Sequence, residues 1–392
     1  MNPAHGGPCQ GIRNSVPALR ALGIDNEVVC MDNPDAGFLH QDDFKIHAVG
    51  ESNGPWARNT HLYDWLINHL MAYDVVIVHG FWQYHVYAVR KAMQKLKRNP
   101  KHKIPKVYAM PHGMLDPYFQ KAEGRKLKAL RNDIYWKFIE SKNVESFDGL
   151  LFTCEEELRL AATAFKPYKP KSTLNVSYGV KSPPPTNEDK DSEFFKQFKA
   201  LQPGNYLLFL SRVHPKKGVD ILIQAYQTVF AHKSDAPVLA IAGPGMDTEY
   251  GASLKHLVEN SEFLKSKVLF LGMLQGDLKW SAFHNCQAFV LPSHQENFGI
   301  AVAEALACKR PVILSNKVNI YFEIEKSNAG IICNDDIEGV ITALEKWYRM
   351  SDDNKTEMSV NAYNLYLSAF TNEAAAARLT EVLNHELQTQ QC

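Results

Sequence analysis

The sequence predicts an α/β protein made of two doubly wound domains, each a parallel sheet with helices on both faces. Three observations predict it. The chain has 392 residues, more than one compact core accommodates, so two domains is the starting expectation. Short apolar runs of strand length alternate with longer helical patterns through both halves. Between Lys181 and Gly204 the alternation breaks at Pro183-Pro184-Pro185, an acidic polar run and Pro203-Gly204. Consecutive prolines continue neither a helix nor a sheet ladder, so this stretch reads as a linker. The expected boundaries are an N-terminal domain at 1–180, a linker at 181–204, a C-terminal domain at 205–370 and a final helix at 371–392.

In the first half the expected strands are Asn26–Met31, Phe44–Val49, Asp74–Val78, Lys106–Met110, Gly149–Thr153 and Leu174–Tyr178. Helical patterns fall at Ile12–Leu22, His61–Ala72, Tyr84–Lys97, Gly124–Ser141 and Glu155–Phe165, with a short helix at Ser192–Ala200 inside the linker. The second half repeats the scheme with strands at Tyr206–Leu210, Val238–Ala242, Val268–Leu271, Ala288–Leu291, Val312–Leu314 and Gly330–Cys333. Amphipathic spacing at Thr356–Phe370 and Thr371–Gln388 closes the chain with two helices.

Composition excludes several classes. Hydrophobic residues make up 45% and charged residues 22%, an ordinary globular balance. No run of about 18 apolar residues exists, so no transmembrane helix is expected, and the polar start of the chain lacks signal-peptide character. The seven cysteines are scattered without a CxxC or His/Cys cluster, which points to a reducing, cytoplasmic compartment and no structural zinc. Net charge is zero but unevenly spread: Arg90–Lys142 carries 15 basic and 4 acidic residues, a net +11. Such a stretch is commonly a solvated helix face. Its interleaved aromatics (Tyr118, Phe119, Tyr135, Trp136, Phe138) favour a surface that meets anionic lipid or an anionic acceptor, with peripheral contact at the inner face of the membrane. No nucleic-acid partner is expected.

Two segments carry chemistry. In Leu291-Pro292-Ser293-His294-Gln295-Glu296-Asn297-Phe298-Gly299 an apolar strand ends in a polar loop, and Gly299 opens an apolar helix that carries Glu304 eight residues after Glu296. Backbone N–H groups at such a helix start bind anions. Two carboxylates there repel a phosphate unless they hold hydroxyls, as bidentate acceptors from vicinal diols. A ligand with both phosphate and sugar hydroxyls, a nucleotide sugar, satisfies both groups. Taken alone, the glutamates read as solvated surface residues. The second segment, Phe209-Leu210-Ser211-Arg212-Val213-His214-Pro215-Lys216-Lys217-Gly218, changes that, because Arg212 and Lys217 offer a planar fork and a point charge suited to a diphosphate.

Together these segments resemble the signature of glycosyltransferase family 4: an Arg and a Lys before a Gly, then an E-x7-E element. The likeness extends to Arg310-Pro311-Val312-Ile313, where Lys309-Arg310 stand in place of the family's usual Gly. The resemblance implies the GT-B fold, two Rossmann-like domains facing each other across a cleft, and a retaining transfer from a nucleotide diphosphate sugar. It implies a catalytic set of Glu296, Arg212, Lys217 and His112, with His112 (in Met110-Pro111-His112-Gly113) against the donor sugar. Glu296 then holds sugar hydroxyls and Glu304 the ribose diol. The N–H groups of Asn297, Phe298 and Gly299 support the phosphate, Gly6 and Gly7 let backbone approach it, and Met273 and Leu274 contact the base. His79, at the end of another strand, reads equally well as a structural residue. No Asp-x-Asp element is placed to hold a metal, so no metal or other cofactor is expected. The expected partners are the donor and a glycan or lipid-linked acceptor, as in polysaccharide or glycoconjugate biosynthesis.

Two readings compete with a transferase. A nucleotide-sugar epimerase of the same architecture needs acid/base carboxylates in the first domain, where Asp116 and Glu123 are the candidates. A sugar-nucleotide-binding homologue without turnover is the other. One feature of the start is unusual: only five residues precede Gly6-Gly7, too few for the first strand of such a domain. A chain start truncated before that strand is the expectation, leaving neighbouring strands without ladder partners.

Overall fold

A computed structural model describes residues 1–2, 7–121 and 126–388. The chain divides into two compact units, residues 1–179 with 372–392, and residues 180–371.

The second unit holds one six-stranded sheet. Its strands are β7 (Tyr206–Leu210), β8 (Val238–Ala242), β9 (Val268–Gly272), β10 (Ala288–Leu291), β11 (Val312–Ser315) and β12 (Gly330–Cys333). All pairings are parallel, in the order β12-β11-β10-β7-β8-β9. Every residue of β8, β10 and β11 is buried, as a parallel strand covered on both faces requires, which is why these segments read as continuous apolar runs. Strand order reverses between β7 and β10. At such a switch point the loops leaving the carboxyl ends diverge and open a ligand crevice. The loops there are the two that carry Arg212–Gly218 and Pro292–Gly299.

Residues 181–204 belong to the second unit. Their helix spans Glu188–Gln197 rather than Ser192–Ala200. Asn187 caps it by accepting from the N–H groups of Asp189 and Lys190, and Glu188, Asp189 and Asp191 sit at its positive end. The Phe194, Phe195 and Phe198 spacing marks only its packed face.

In the first unit, β1 (Glu27–Cys30) pairs with β2 (Lys45–Ala48), and β3 (Val75–His79), β4 (Lys106–Met110), β5 (Gly149–Phe152) and β6 (Thr173–Asn175) form a separate parallel sheet in that order. The larger core lies under this sheet, around Leu62, Leu66, Val89, Trp136, Leu150 and Phe152. Three expectations shift. The first helix starts at Gly7, not Ile12, because Pro8 fits a first turn whose N–H groups lack partners. Strand β6 stops at Asn175, whose Oδ1 accepts the Ser177 N–H at 3.1 Å, and Ser177 then turns to φ +63°. The helix expected at Gly124–Ser141 runs from Lys126 to Ser146 through a π-helical turn at Trp136–Glu140, a short helix at Tyr118–Lys121 was not expected, and residues 124 and 125 lie outside the described residues.

The final helix, Asn372–Gln388, packs within the first unit on the helix Gly7–Ala21. Leu379 joins two apolar clusters there, one around Ala18 and Leu19 and one around Tyr108, Met110 and Val176. Leu379→Ala is expected to destabilise this unit by about 1–2 kcal/mol, below the range for a fully buried leucine because the side chain is half-buried. Urea unfolding followed by first-unit and second-unit probes checks this; an unchanged first-unit transition contradicts it.

Candidate active site

The loop after β7 is built around one conformational demand. His214 accepts the Lys216 N–H at 3.1 Å, Pro215 starts a 3₁₀ turn through Lys217, and Gly218 adopts φ +66° to begin the helix Val219–Phe230. A Cβ on Gly218 would stand 2.3 Å from the Pro292 carbonyl oxygen. Only glycine meets both the left-handed backbone and that close approach. The turn is thereby pressed against the end of β10, and the His294 N–H donates to the Lys216 carbonyl at 2.8 Å. On its other side the β10 loop joins the β11 loop: Glu296 N–H donates to the Lys317 carbonyl at 2.9 Å and Asn319 N–H to the Glu296 carbonyl at 2.9 Å.

This stitching brings Lys217 and Glu296, 79 positions apart, into a direct ion pair between Nζ and Oε2. The Lys217 side chain is 7% exposed and Glu296 24%. A buried ammonium needs a counter-charge, and Glu296 supplies it. Arg212 lies on the same loop, exposed and without an ion-pair partner among the described residues. Its backbone is held from beneath by Gly243 and Gly245. Cβ atoms there would fall 1.8 Å from the Ser211 carbonyl oxygen and 2.4 Å from that of Val213, and both glycines have positive φ. Gly243-Pro244-Gly245 escaped the sequence reading, although two glycines straddling a proline at a strand end were a usable signal.

Gly299 caps the helix Ile300–Ala307 at φ +77°, and the first N–H groups of such a helix have no intrahelical carbonyl partner. The Asn297 side chain accepts from Asn319 at 3.5 Å. Phe298 is buried edge-on against Phe370 at 5.4 Å, so only its backbone faces outward chemistry. Glu304 pairs with Lys279, Nζ to Oε1 2.7 Å, and Lys279 also lies 4.1 Å from the Trp280 ring centroid. Burial raises the Glu304 carboxyl above its ordinary range, while Lys279 opposes that rise. Lys279 was not foreseen, because a Lys on the helix Gly276–Asn285 looks like any solvated residue until its partner is known. Of the two expected base contacts, Met273 is 62% exposed and Leu274 is buried.

His112 belongs to the first unit, at φ +52°, with Nε2 2.9 Å from His79 Nδ1 and the two rings stacked at 5.2 Å. Burial, then the neighbouring His79, lowers His112 to about 3; burial, then His85, lowers His79 to about 4. Both imidazoles are therefore neutral at pH 7, one donating and the other accepting. The loop is fixed by the buried Glu157, which accepts from the Gly113 N–H at 2.5 Å and from the Thr153 N–H and Oγ1 at 2.8 and 2.7 Å. The His112 ring meets Tyr178 edge-on at 6.4 Å, and Tyr178 Oη donates to the Gly7 carbonyl at 2.7 Å. Gly7 is thus the first helical residue, and Gly6 lies outside the described residues. Asp116 is buried and accepts the Tyr118 N–H at 2.8 Å, committed to a turn, and Glu123 lies outside the described residues. Among the described residues no group of three His, Cys, Asp or Glu side chains could hold a metal ion.

The chain matches "Glycosyl transferase 4-like domain" over residues 6–173 and "Glycosyl transferases group 1" over residues 190–365. It belongs to the group 1, family 4-like glycosyltransferases. This glycosyltransferase is 25% identical over 201 residues to O-antigen chain mannosyltransferase C of Escherichia coli, 50% of each chain. It is 26% identical over 182 residues to a probable sucrose-phosphate synthase of Thermosipho melanesiensis, 46% of this chain and 41% of that one. The matches span half or less of these curated relatives. Among solved structures, Anabaena HepE in complex with UDP and glucose superposes with a TM-score of 0.69 at 16% identity, over 98% of this chain and 96% of that one. Sucrose-phosphate synthase of Thermosynechococcus elongatus gives 0.67 at 18%, over 98% and 94%. These likenesses establish the GT-B fold.

Lys279→Met removes the cation that opposes the rise of the Glu304 carboxyl, so that carboxyl should rise further. Nucleoside diphosphate affinity, if it uses the ionised carboxylate, should then begin to fall at a higher pH than in the wild type. Calorimetric titrations from about pH 8 down to about pH 5 test this; identical midpoints contradict it.

Proposed function

We propose that this glycosyltransferase moves a hexosyl group from a nucleoside diphosphate sugar to a hydroxyl of a glycan or lipid-linked acceptor, with retention and without a metal ion. One observation carries the reading: at the switch point of the second sheet the Lys217–Glu296 ion pair joins the loops after β7 and β10, with Arg212 on the first loop and the helix that carries Glu304 starting from the second. The cations and amides suit a diphosphate, and the carboxylates suit hydroxyls at its two ends. The bond from the anomeric carbon to the diphosphate breaks, its electron pair stays on the leaving phosphate, the acceptor oxygen bonds to that carbon, and the acceptor hydroxyl's proton passes to the leaving phosphate oxygen. Charge grows on the phosphate and, with opposite sign, near the anomeric carbon. Lys217 and Arg212 meet the first as cations held on one loop, where electrostatic stabilisation is largest.

Glu296 has two tasks in this reading. Before binding it neutralises buried Lys217; with donor bound, Lys217 turns to the diphosphate and Glu296 accepts from sugar hydroxyls. Glu304 holds the ribose diol, Met273 lies along the base, and neutral His112 hydrogen-bonds the sugar. The mannosyltransferase and sucrose-phosphate synthase names of relatives, and UDP with glucose in the Anabaena structure, support a hexose as the transferred group. The basic stretch Arg90–Lys142 serves as the face that meets an anionic acceptor at the cytoplasmic side of a membrane; no helix among the described residues is long and apolar enough to cross one.

With a panel of UDP-, GDP- and ADP-sugars, Glu296→Gln is expected to cut turnover by at least about 100-fold. Lys217→Met and Arg212→Ala should each cost about 2–4 kcal/mol of transition-state stabilisation. Release of nucleoside diphosphate in the presence of EDTA is the assay. Wild-type rates in any of the three variants sink the site assignment, and activity lost in EDTA but restored by Mg²⁺ or Mn²⁺ overturns the metal-free reading.

A further inference from the structure

The helix Lys126–Tyr135 and the π-helical turn after it carry large apolar side chains on their outer face. Leu127 is 85% exposed, Leu130 58%, Ile134 53% and Phe138 60%. These are four of the eleven exposed large hydrophobic residues described in the whole chain, gathered within twelve positions. Spaced three, four and four apart, at about 100° per residue they fall within an arc of about 80°. Lys128 and Arg131 stand on one side of that arc, Lys126 and Lys137 on the other, and all four are exposed. None of the four pairs with a carboxylate among the described residues; Arg131 Nη2 reaches only Asn132 Oδ1, at 3.1 Å.

No residue of the helix Lys126–Tyr135 is buried, and the stretch is anchored at its C-terminal end. Trp136 is buried, stacks on Phe165 at 4.7 Å and donates from Nε1 to the Pro167 carbonyl at 2.8 Å, while Tyr135 Oη takes the Trp56 indole N–H. The stripe is therefore carried on a helix anchored through Tyr135 and Trp136, with its leucines exposed.

We propose that this face docks on an anionic phospholipid bilayer, with Leu127, Leu130, Ile134 and Phe138 entering the headgroup–acyl boundary and the four cations meeting lipid phosphates. An apolar stripe bordered on both sides by cations is the pattern of a helix lying in a membrane interface. Cations alone would equally suit a soluble polyanion, but four exposed apolar side chains between them gain nothing from a hydrated glycan. The membrane contact of Arg90–Lys142 proposed above thus narrows to Lys126–Phe138. The docking rests on that reading and not on the donor chemistry of the second unit.

The test is sedimentation of the full chain, without donor, with vesicles of phosphatidylglycerol and phosphatidylcholine in about equal parts, against phosphatidylcholine alone. The wild type should partition to the anionic vesicles. Leu127→Ser with Phe138→Ser, and separately Lys126→Glu with Lys128→Glu and Arg131→Glu, should each lower that partition roughly tenfold or more. Salt near 1 M, where the Debye length is about 3 Å, should weaken the wild type only in part. Stabilisation of each variant by nucleoside diphosphate verifies that it is folded. Wild-type partition in the serine variant, equal binding to both vesicle types, or no binding overturns the proposal. Absent nucleoside diphosphate stabilisation in the wild type would instead count against the donor reading and leave the vesicle result standing.

Discussion

A buried ammonium next to a single carboxylate is the constraint around which the second unit is arranged. Lys217 reaches its buried position because Gly218 lets the turn after β7 press against the end of β10. Glu296 reaches Lys217 because its own backbone is bonded on both sides to the loop after β11. Three loops from three adjacent strands are thus tied together, and the ion pair is what their ties position. Loosening any one leaves a charge buried without its partner, a more costly state than the pair itself. The same stitching fixes Gly299 and the helix it opens, so the carboxylates, the cation and the free helix end share one scaffold.

Much of this was legible in the sequence. Continuous apolar runs located four of the six strands of the second sheet without error and the other two, β9 and β11, to within one residue at their ends, because strands covered on both faces have few polar positions to blur their ends. Both glutamates, Arg212 and Lys217 stood out through local spacing around Gly218 and Gly299. What stayed hidden depends on distant partners. The pairing of Lys279 with Glu304 spans 25 positions, and the bond from the Gly113 N–H to Glu157 spans 44. The reversal of strand order between β7 and β10 leaves no local trace. Element ends failed where side chains bond backbone, as at the Asn187 cap and the Asn175 turn.

The departure at Lys309-Arg310 shows how a family position tolerates an unusual residue. Lys309 takes φ +58°, the left-handed conformation that glycine adopts freely and a lysine adopts at a cost of about 1–2 kcal/mol. Its Nζ lies 4.9 Å from the Tyr363 ring centroid. Arg310 donates from Nη1 to the Cys286 carbonyl at 3.1 Å and from Nη2 to that of His284, meeting the negative end of the helix Gly276–Asn285. These contacts offset the backbone strain and tie the start of β11 to the helix that carries Lys279. The replacement therefore holds the site's framework without touching its charges.

In the proposed reaction Lys217 is shared between Glu296 and the incoming diphosphate. A double-mutant cycle on nucleoside diphosphate affinity measures that sharing directly, using Lys217→Met, Glu296→Gln and the two combined. Glu296→Gln should hold or strengthen binding when Lys217 is present, since it releases the ammonium, and should have no effect in the Lys217→Met background. Weakening of binding by Glu296→Gln to the same extent in both backgrounds would contradict the account.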